Sequence, residues 1–328
     1  MHKSLGNGVD PSEMFDKYGA DLVRLWAASA DFRLDMRASD AIFKQLSDKY
    51  LKIRNTARYI LGNLDGFDPE TDTVALEDMI ELDRWALDRC AVMIEKCLAS
   101  YEKNEFWQAT YAVHNFCVVD MSNVYLDVIK DRLYCEGRKS LARRSAQTAI
   151  WLILDAMVRL LAPVLSFTAN EIWTMMPHRA TDDARHVMLN DMPSNHAEWM
   201  LDEEKRYYWD ESIRLRTDVN KALELARAEK IVGKPLDAKL TIHVSEAAEA
   251  AVRRIKSQHF EAFFIVSEVE FTEGAGEGWA GTEFEGVNIE VKPSDKPKCV
   301  RCWTHSATVG ENAEHPELCA RCAKALAE

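Results

Sequence analysis

No run of this sequence is apolar enough to suggest a membrane span. The longest, Ala149 to Ala169, is broken by Asp155, Arg159 and Pro163. A buried helix is expected there instead, with Asp155 and Arg159 four apart and able to pair on one face. No secretory signal is visible, because Met1 is followed by His2, Lys3 and Gly6-Asn7-Gly8 rather than by an apolar core. Positive charge is not in excess: the formal net charge is -13. That excludes a general nucleic-acid coat protein, whose affinity comes from neutralising phosphates, but leaves open RNA binding through basic residues gathered locally. A secreted disulfide framework is also excluded. Of eight cysteines, Cys90, Cys97, Cys117 and Cys135 lie singly in helix-like sequence, where they read as small core residues of a cytoplasmic protein. There is no internal repeat and no long low-complexity tract.

What is present is 328 residues, 47% hydrophobic and 29% charged, enough for two or three domains with proper cores. Ser12 is expected to cap a short helix ending at Gly19, and Ala20 to Ala30 forms the next. Ser39 caps a long helix whose apolar positions Ile42, Phe43, Leu46, Tyr50, Ile53, Ala57 and Ile60 keep a helical period. Further helices are expected over Glu81–Lys103, Phe106–Lys130 and Ser140–Ala162, with a break at Pro163 and resumption to Met176. Their spacing predicts a mainly α fold, an antiparallel bundle. After a loop over Pro177–Asn195, a charged helix runs from Asp202 to Lys230. The texture then changes. Leu240–Val244, Phe263–Phe271 and Val287–Val291 read as strands and Glu246–Ser257 as a helix, making a small α/β module. Seven glutamates and no Lys or Arg lie between Glu268 and Glu290, a stretch expected to face away from any RNA. The expected divisions are 1–40, 41–200, 201–294 and 295–328.

The tail carries the strongest motif. Cys299-Val-Arg-Cys302 and Cys319-Ala-Arg-Cys322 are two C-x2-C knuckles separated by sixteen residues. Two such knuckles complete a tetrahedral four-sulfur shell of the kind zinc favours, a ribbon or knuckle with no open position for a reactive water. One structural zinc is therefore expected, with His305 and His315 as loop residues rather than ligands.

The residues resemble a known family along nearly the whole chain. Met1-His2-Lys3-Ser4-Leu5-Gly6-Asn7 is similar to the K-M-S-K-S loop of class I aminoacyl-tRNA synthetases. Tyr18-Gly19-Ala20-Asp21 and Leu25-Trp26-Ala27 are similar to the segment after that loop in the isoleucine, valine and leucine enzymes. Tyr50 to Tyr59, Asp120 to Asp131, Leu161-Ala162-Pro163 and Glu171-Ile172-Trp173 resemble their anticodon-binding domain. Lys298 to Trp303 with the second knuckle resembles the terminal zinc domain of the bacterial isoleucyl-tRNA synthetases, which selects isoleucine over valine or leucine. The resemblance departs in three ways. The loop's first lysine is absent, His2 replaces its serine, and no H-I-G-H-like sequence occurs. It therefore implies the tail half of such an enzyme, truncated at an opening loop with no strand or helix before it to anchor it, and inactive by itself. It also implies cytoplasmic location, a monomer, and neither DNA nor a membrane as partner. In the parent enzyme Lys3 would meet ATP phosphates; ATP enters only through the missing catalytic domain.

The partner so implied is the anticodon stem-loop of an isoleucine tRNA. Lys52, Arg54, Asn55 and Arg58 on the first long helix are the leading contacts, with Lys44, Lys49 and Tyr59 nearby; cations hold phosphates and an amide reads a base edge. Lys130, Arg132, Arg138, Lys139, Arg143 and Arg144 form a second basic group. In the tail, Arg301 and Trp303 are candidates, Trp303 either stacking on a base or covering the metal. Two other readings stand beside this one: the matching part of a valyl- or leucyl-tRNA synthetase, and a non-enzymatic zinc-ribbon module that binds protein through its acidic surface.

Overall fold

The computed structural model describes residues 11–255 and 260–327. The chain divides into two compact units. One contains the described residues through Asp127 together with Arg144–Met200; the other contains Val128–Arg143 and the described residues from Leu201 onward.

The first unit is a helical bundle. Helices α1 (Pro11–Tyr18) and α2 (Ala20–Ala28) meet at Gly19, whose φ of 83° suits glycine. Ser12 lies inside α1 rather than capping it, because Pro11 before it is already helical. Ser39 does cap α3 (Asp40–Asn63), its hydroxyl accepting from Ile42 N. The buried stripe of α3 is Phe43, Leu46, Ile53, Thr56, Ala57 and Ile60. Its large apolar members contribute roughly 2 kcal/mol each, which settles which face turns inward. Next come α4 (Glu81–Glu102) and α5 (Phe106–Asn115). A π-helical stretch (Phe116–Tyr125) follows, then α6 (Leu126–Val128), so the expected single helix over 106–130 contains ten residues of wider turn. Helices α8 (Leu141–Leu161) and α9 (Ser166–Met175) flank the break at Pro163.

Several buried polar groups inside this unit are partnered, although Arg84 Nε and His178 Nδ1 have no hydrogen-bond partner among the described residues. The buried carboxylate of Asp83 accepts from the Tyr125 hydroxyl at 2.7 Å and the Ser145 hydroxyl at 2.5 Å. Arg159 pairs with Asp155 at 2.9 Å and with Asp182 at 2.8 Å. Trp85, Trp151 and Trp173 are buried as expected, and Trp26 and Trp107 are half-buried. Cys90, Cys97 and Cys117 are core residues.

The second unit begins with α7 (Lys130–Cys135) and continues with α10 (Glu203–Ala228), capped by Asp202. A four-stranded sheet follows in the order β2-β1-β4-β3. Strand β1 (Ala238–Val244) pairs parallel with β2 (Glu268–Glu273) and antiparallel with β4 (Val287–Pro293). The parallel pair requires a crossover, supplied by α11 (Glu249–Ile255) and α12 (Phe260–Phe264). The strand expected from Phe263 therefore starts only at Glu268. Phe260, Phe263 and Phe264 are spaced for one helix face and all three are buried. Strand β3 (Trp279–Ala280) was not foreseen. The Asp218 carboxylate on α10 fixes the following loop by accepting from the amides of Thr282, Glu283 and Phe284. Helix α13 (Ala320–Ala327) ends the described chain.

Among the described residues, no helix is long and apolar enough to cross a membrane.

Candidate metal centre and nucleic-acid interface

The cysteine knuckles converge. The sulfurs of Cys299, Cys302, Cys319 and Cys322 lie within 4.8 Å of one another, and all four residues are buried. A tetrahedral zinc with Zn–S bonds of about 2.3 Å spaces its sulfurs roughly 3.8 Å apart. Cys302 Sγ and Cys319 Sγ are 3.8 Å apart, and none of the four is in a disulfide. The donor set fits zinc, and the four cysteines would supply its whole shell.

The electrostatics prepare the site for thiolates unevenly. Burial pushes the Cys319 and Cys322 thiols up. At Cys299 burial acts the same way but is outweighed by hydrogen bonds from the amides of Cys302, Cys319 and Arg301, which bring it down to about 6. His305 is not a ligand. Its Nδ1 lies 2.6 Å from the Lys296 carbonyl and its Nε2 3.3 Å from Asp237, so it ties the knuckle to the start of β1. Its amide donates to Ser267 Oγ at 2.7 Å.

A second anchor joins the finger to α7 within the same unit. Arg321 pairs with Asp131 and, at 3.3 Å, with Glu136. Arg301 Nη1 donates to the Cys135 carbonyl at 2.5 Å and approaches Cys322 Sγ at 3.5 Å. Arg301 thus has one guanidinium nitrogen committed to holding the knuckle. Cys135, expected to be an isolated core residue, packs directly against the four-cysteine cluster. Trp303 has φ of 65° and is 54% exposed, with Lys234 Nζ 4.9 Å from its ring centroid, so it does not close over the metal site.

In the first unit, Lys52, Arg54, Asn55 and Arg58 are all exposed. They do not form one patch. At about 100° per residue, Arg54 and Arg58 share one flank of α3 and Lys52 lies on the far edge of the exposed face, with Asn55 between them and about 60° from Lys52. Among the described residues, none of these three cations, nor Lys44 or Lys49, has an ion-pair partner. Lys49 and Lys52 instead approach His114 on α5, whose pKa is lowered by burial first and then by those two charges. Tyr59 is half-buried and donates to the Leu126 carbonyl at 3.3 Å. Lys3 lies outside the described residues.

Much of the second basic group is used internally. Arg132 donates to the Ala142 carbonyl and Arg143 to that of Leu133. Arg144 pairs with Asp72 at 3.2 Å and donates to the Gly66 carbonyl. Arg138 and Lys139 are exposed.

Sequence reasoning missed a row on α4 and its cap: Arg89, Lys96 and Lys103, each seven residues apart. They line a groove of about 390 Å³ with Tyr111 and Asn115 of α5. The seven-residue spacing was the available signal.

Family models match most of this chain. The anticodon-binding domain of tRNA ligases matches residues 83–242, and a zinc finger found in FPG and IleRS matches 296–325. Class I tRNA synthetases (I, L, M and V) match residues 1–39. A protein of Syntrophotalea carbinolica named isoleucine–tRNA ligase is 46% identical over 328 residues, covering 100% of this chain and 35% of that protein. Proteins of the same name from Desulfitobacterium hafniense and Caldanaerobacter subterraneus are 43% and 44% identical, each again with 35% of its length covered. The chain therefore spans about a third of the length of these curated relatives. A solved complex of Agrobacterium radiobacter K84, titled as LeuRS with tRNA and LeuAMS, is similar at TM-score 0.43 and 15% identity, covering 89% of this chain and 30% of that one.

Proposed function

Because the chain belongs to the isoleucine–tRNA ligase family, whose anticodon-binding and zinc-finger regions it carries, we propose that it grips the anticodon stem-loop of an isoleucine-accepting tRNA. The supporting observation is the outer flank of α3. Arg54, Asn55 and Arg58 stand exposed on a helix whose other face is fixed in the core, and neither arginine has a carboxylate partner among the described residues. Such a surface offers cations for phosphates and one amide for a base edge, held on a rigid element. Trp303, exposed beside the metal cluster, offers a ring for stacking. Arg301 serves mainly to hold the knuckle that presents it. One zinc per chain fills the four-cysteine site in a structural role. The parent reaction, ATP-dependent attachment of isoleucine to its tRNA, requires a nucleotide-binding domain beside this chain, and Lys3 would meet ATP only there. The protein works as a cytoplasmic monomer.

The test is binding of the chain to isoleucine tRNA transcripts with the natural and with altered anticodons, over a salt series. Preference for the natural anticodon, reduced by Asn55→Ala and by Arg54→Ala, is the expected result. Equal binding to every transcript removes the anticodon assignment.

A further inference from the structure

The exposed face of α5 lies between two sets of lysines. On its α4 side is the groove of about 390 Å³ lined by Lys96, Lys103 and Asn115. On its α2–α3 side is a hollow of about 180 Å³ lined by Lys49, Trp107 and His114. Tyr111 borders both hollows and is 64% exposed. Lys52 belongs with the second set through its proximity to His114.

Most of the positive charge on this face has no ion-pair partner among the described residues, although Lys96 lies close enough to Asp120 to act on its carboxyl. The carboxylates lining the two hollows are Glu105 and Asp120. Glu105 faces Arg33 at 3.8 Å, and Asp120 is paired with Arg89 at 3.0 Å. Among the described residues, Lys49, Lys52, Lys96 and Lys103 have no ion-pair partner. Four ammonium groups outside any ion pair around one exposed aromatic, on a chain of net charge -13, form a local positive field against the overall sign.

We propose that this α5 ridge is a second RNA-binding surface, distinct from the Arg54 flank of α3, on which lysines from both sides hold backbone phosphates and Tyr111 stacks on an unpaired base. The inference rests on the reading that the chain binds tRNA. It adds that part of the affinity is blind to sequence and comes from this face. Lysine point charges suit phosphates, and an exposed aromatic accepts any base.

The experiment compares the parent chain with Lys96→Gln/Lys103→Gln and with Arg54→Ala/Asn55→Ala. Isoleucine tRNA and an anticodon-altered transcript are the probes, titrated at several salt concentrations. The lysine pair is expected to weaken both transcripts by the same factor and to lower the slope of log affinity against log salt by about 2, one per lost phosphate contact. The α3 pair is expected to change the ratio between transcripts. Photo-crosslinking from 4-thiouridine tRNA should label the peptide containing Tyr111. A parent that binds tRNA while Lys96→Gln/Lys103→Gln keeps both affinity and slope overturns this inference alone. Equal displacement of tRNA by polyglutamate would assign the ridge to an acidic protein segment and overturn it too. A parent that binds no tRNA overturns this inference and the function it rests on.

Discussion

Stripping the metal from the four-cysteine site should unfold the finger and loosen α7, a helix far away in sequence. The finger has little core of its own: Leu318 and Ala323 are buried and Val309 partly so. Their burial is worth about 3 kcal/mol. A structural zinc in such a site supplies roughly 10 kcal/mol. Without it, ordering some thirty residues has no adequate counterweight. The consequence for α7 follows from Arg301 and Arg321. When the knuckles open, the Cys135 carbonyl loses its donor and Asp131 and Glu136 lose their cation. Residue-resolved hydrogen exchange before and after chelation is the assay. Protection should vanish at the amides of Cys299, Trp303 and Ala323, bonded to Thr304, Cys299 and Cys319 carbonyls, and fall at Leu133 and Glu136. Amides of α3 and α8 should be unaffected. If zinc is shown by elemental analysis to be gone while the finger keeps its protection, the reasoning is wrong. If only the finger responds, the coupling to α7 is wrong.

Three other outcomes are expected. Asp83→Ala removes the buried acceptor of the Tyr125 and Ser145 hydroxyls and should lower stability by about 3 kcal/mol in urea unfolding. Gly278→Ala should destabilise the β3–β4 pairing, since φ is 120° and an added Cβ would fall 2.3 Å from the Ile289 carbonyl oxygen; loss of amide protection along β4 would report it. Asp120 has its pKa raised, by burial chiefly, with Arg89 opposing. A carboxyl raised in the folded state favours folding while protonated, so its contribution is present at low pH and is lost as pH climbs from the ordinary carboxylate range, about 4, through the raised value. Asp120→Asn should therefore flatten the decline of unfolding free energy over that window; an unchanged profile would exclude Asp120 as its source.

Local signals were legible where a segment decides its own structure. The period of α3 and its Ser39 cap needed no tertiary information, and two C-x2-C knuckles at short range declared the metal site. Legibility failed where distant packing decides. The π-helical stretch has apolar residues nearly all round, Phe116, Cys117, Met121, Val124 and Tyr125 among them, so no period marks its wider turns. Phe260–Phe264 reads as a strand by composition, and only burial of positions 260, 263 and 264 on one face makes it a helix. That Cys135 would join the cysteine cluster depends on Arg301, 166 residues away. The basic residues of α3 were found as a set, but their division between two flanks comes from helical angle.

The excursion of Val128–Arg143 out of the bundle's sequence bears on how this protein is to be cut. The backbone passes between the two units at three peptide bonds, after residues 127, 143 and 200. A gene stopped at Met200 encodes α7 without the arginines that hold it, and a gene begun at Leu201 encodes a finger whose docking loop is elsewhere. Neither product is a whole folding unit. Supplied together as separate polypeptides, they should recover the missing part from one another, which makes the break after residue 200 a natural site for a split version of the protein.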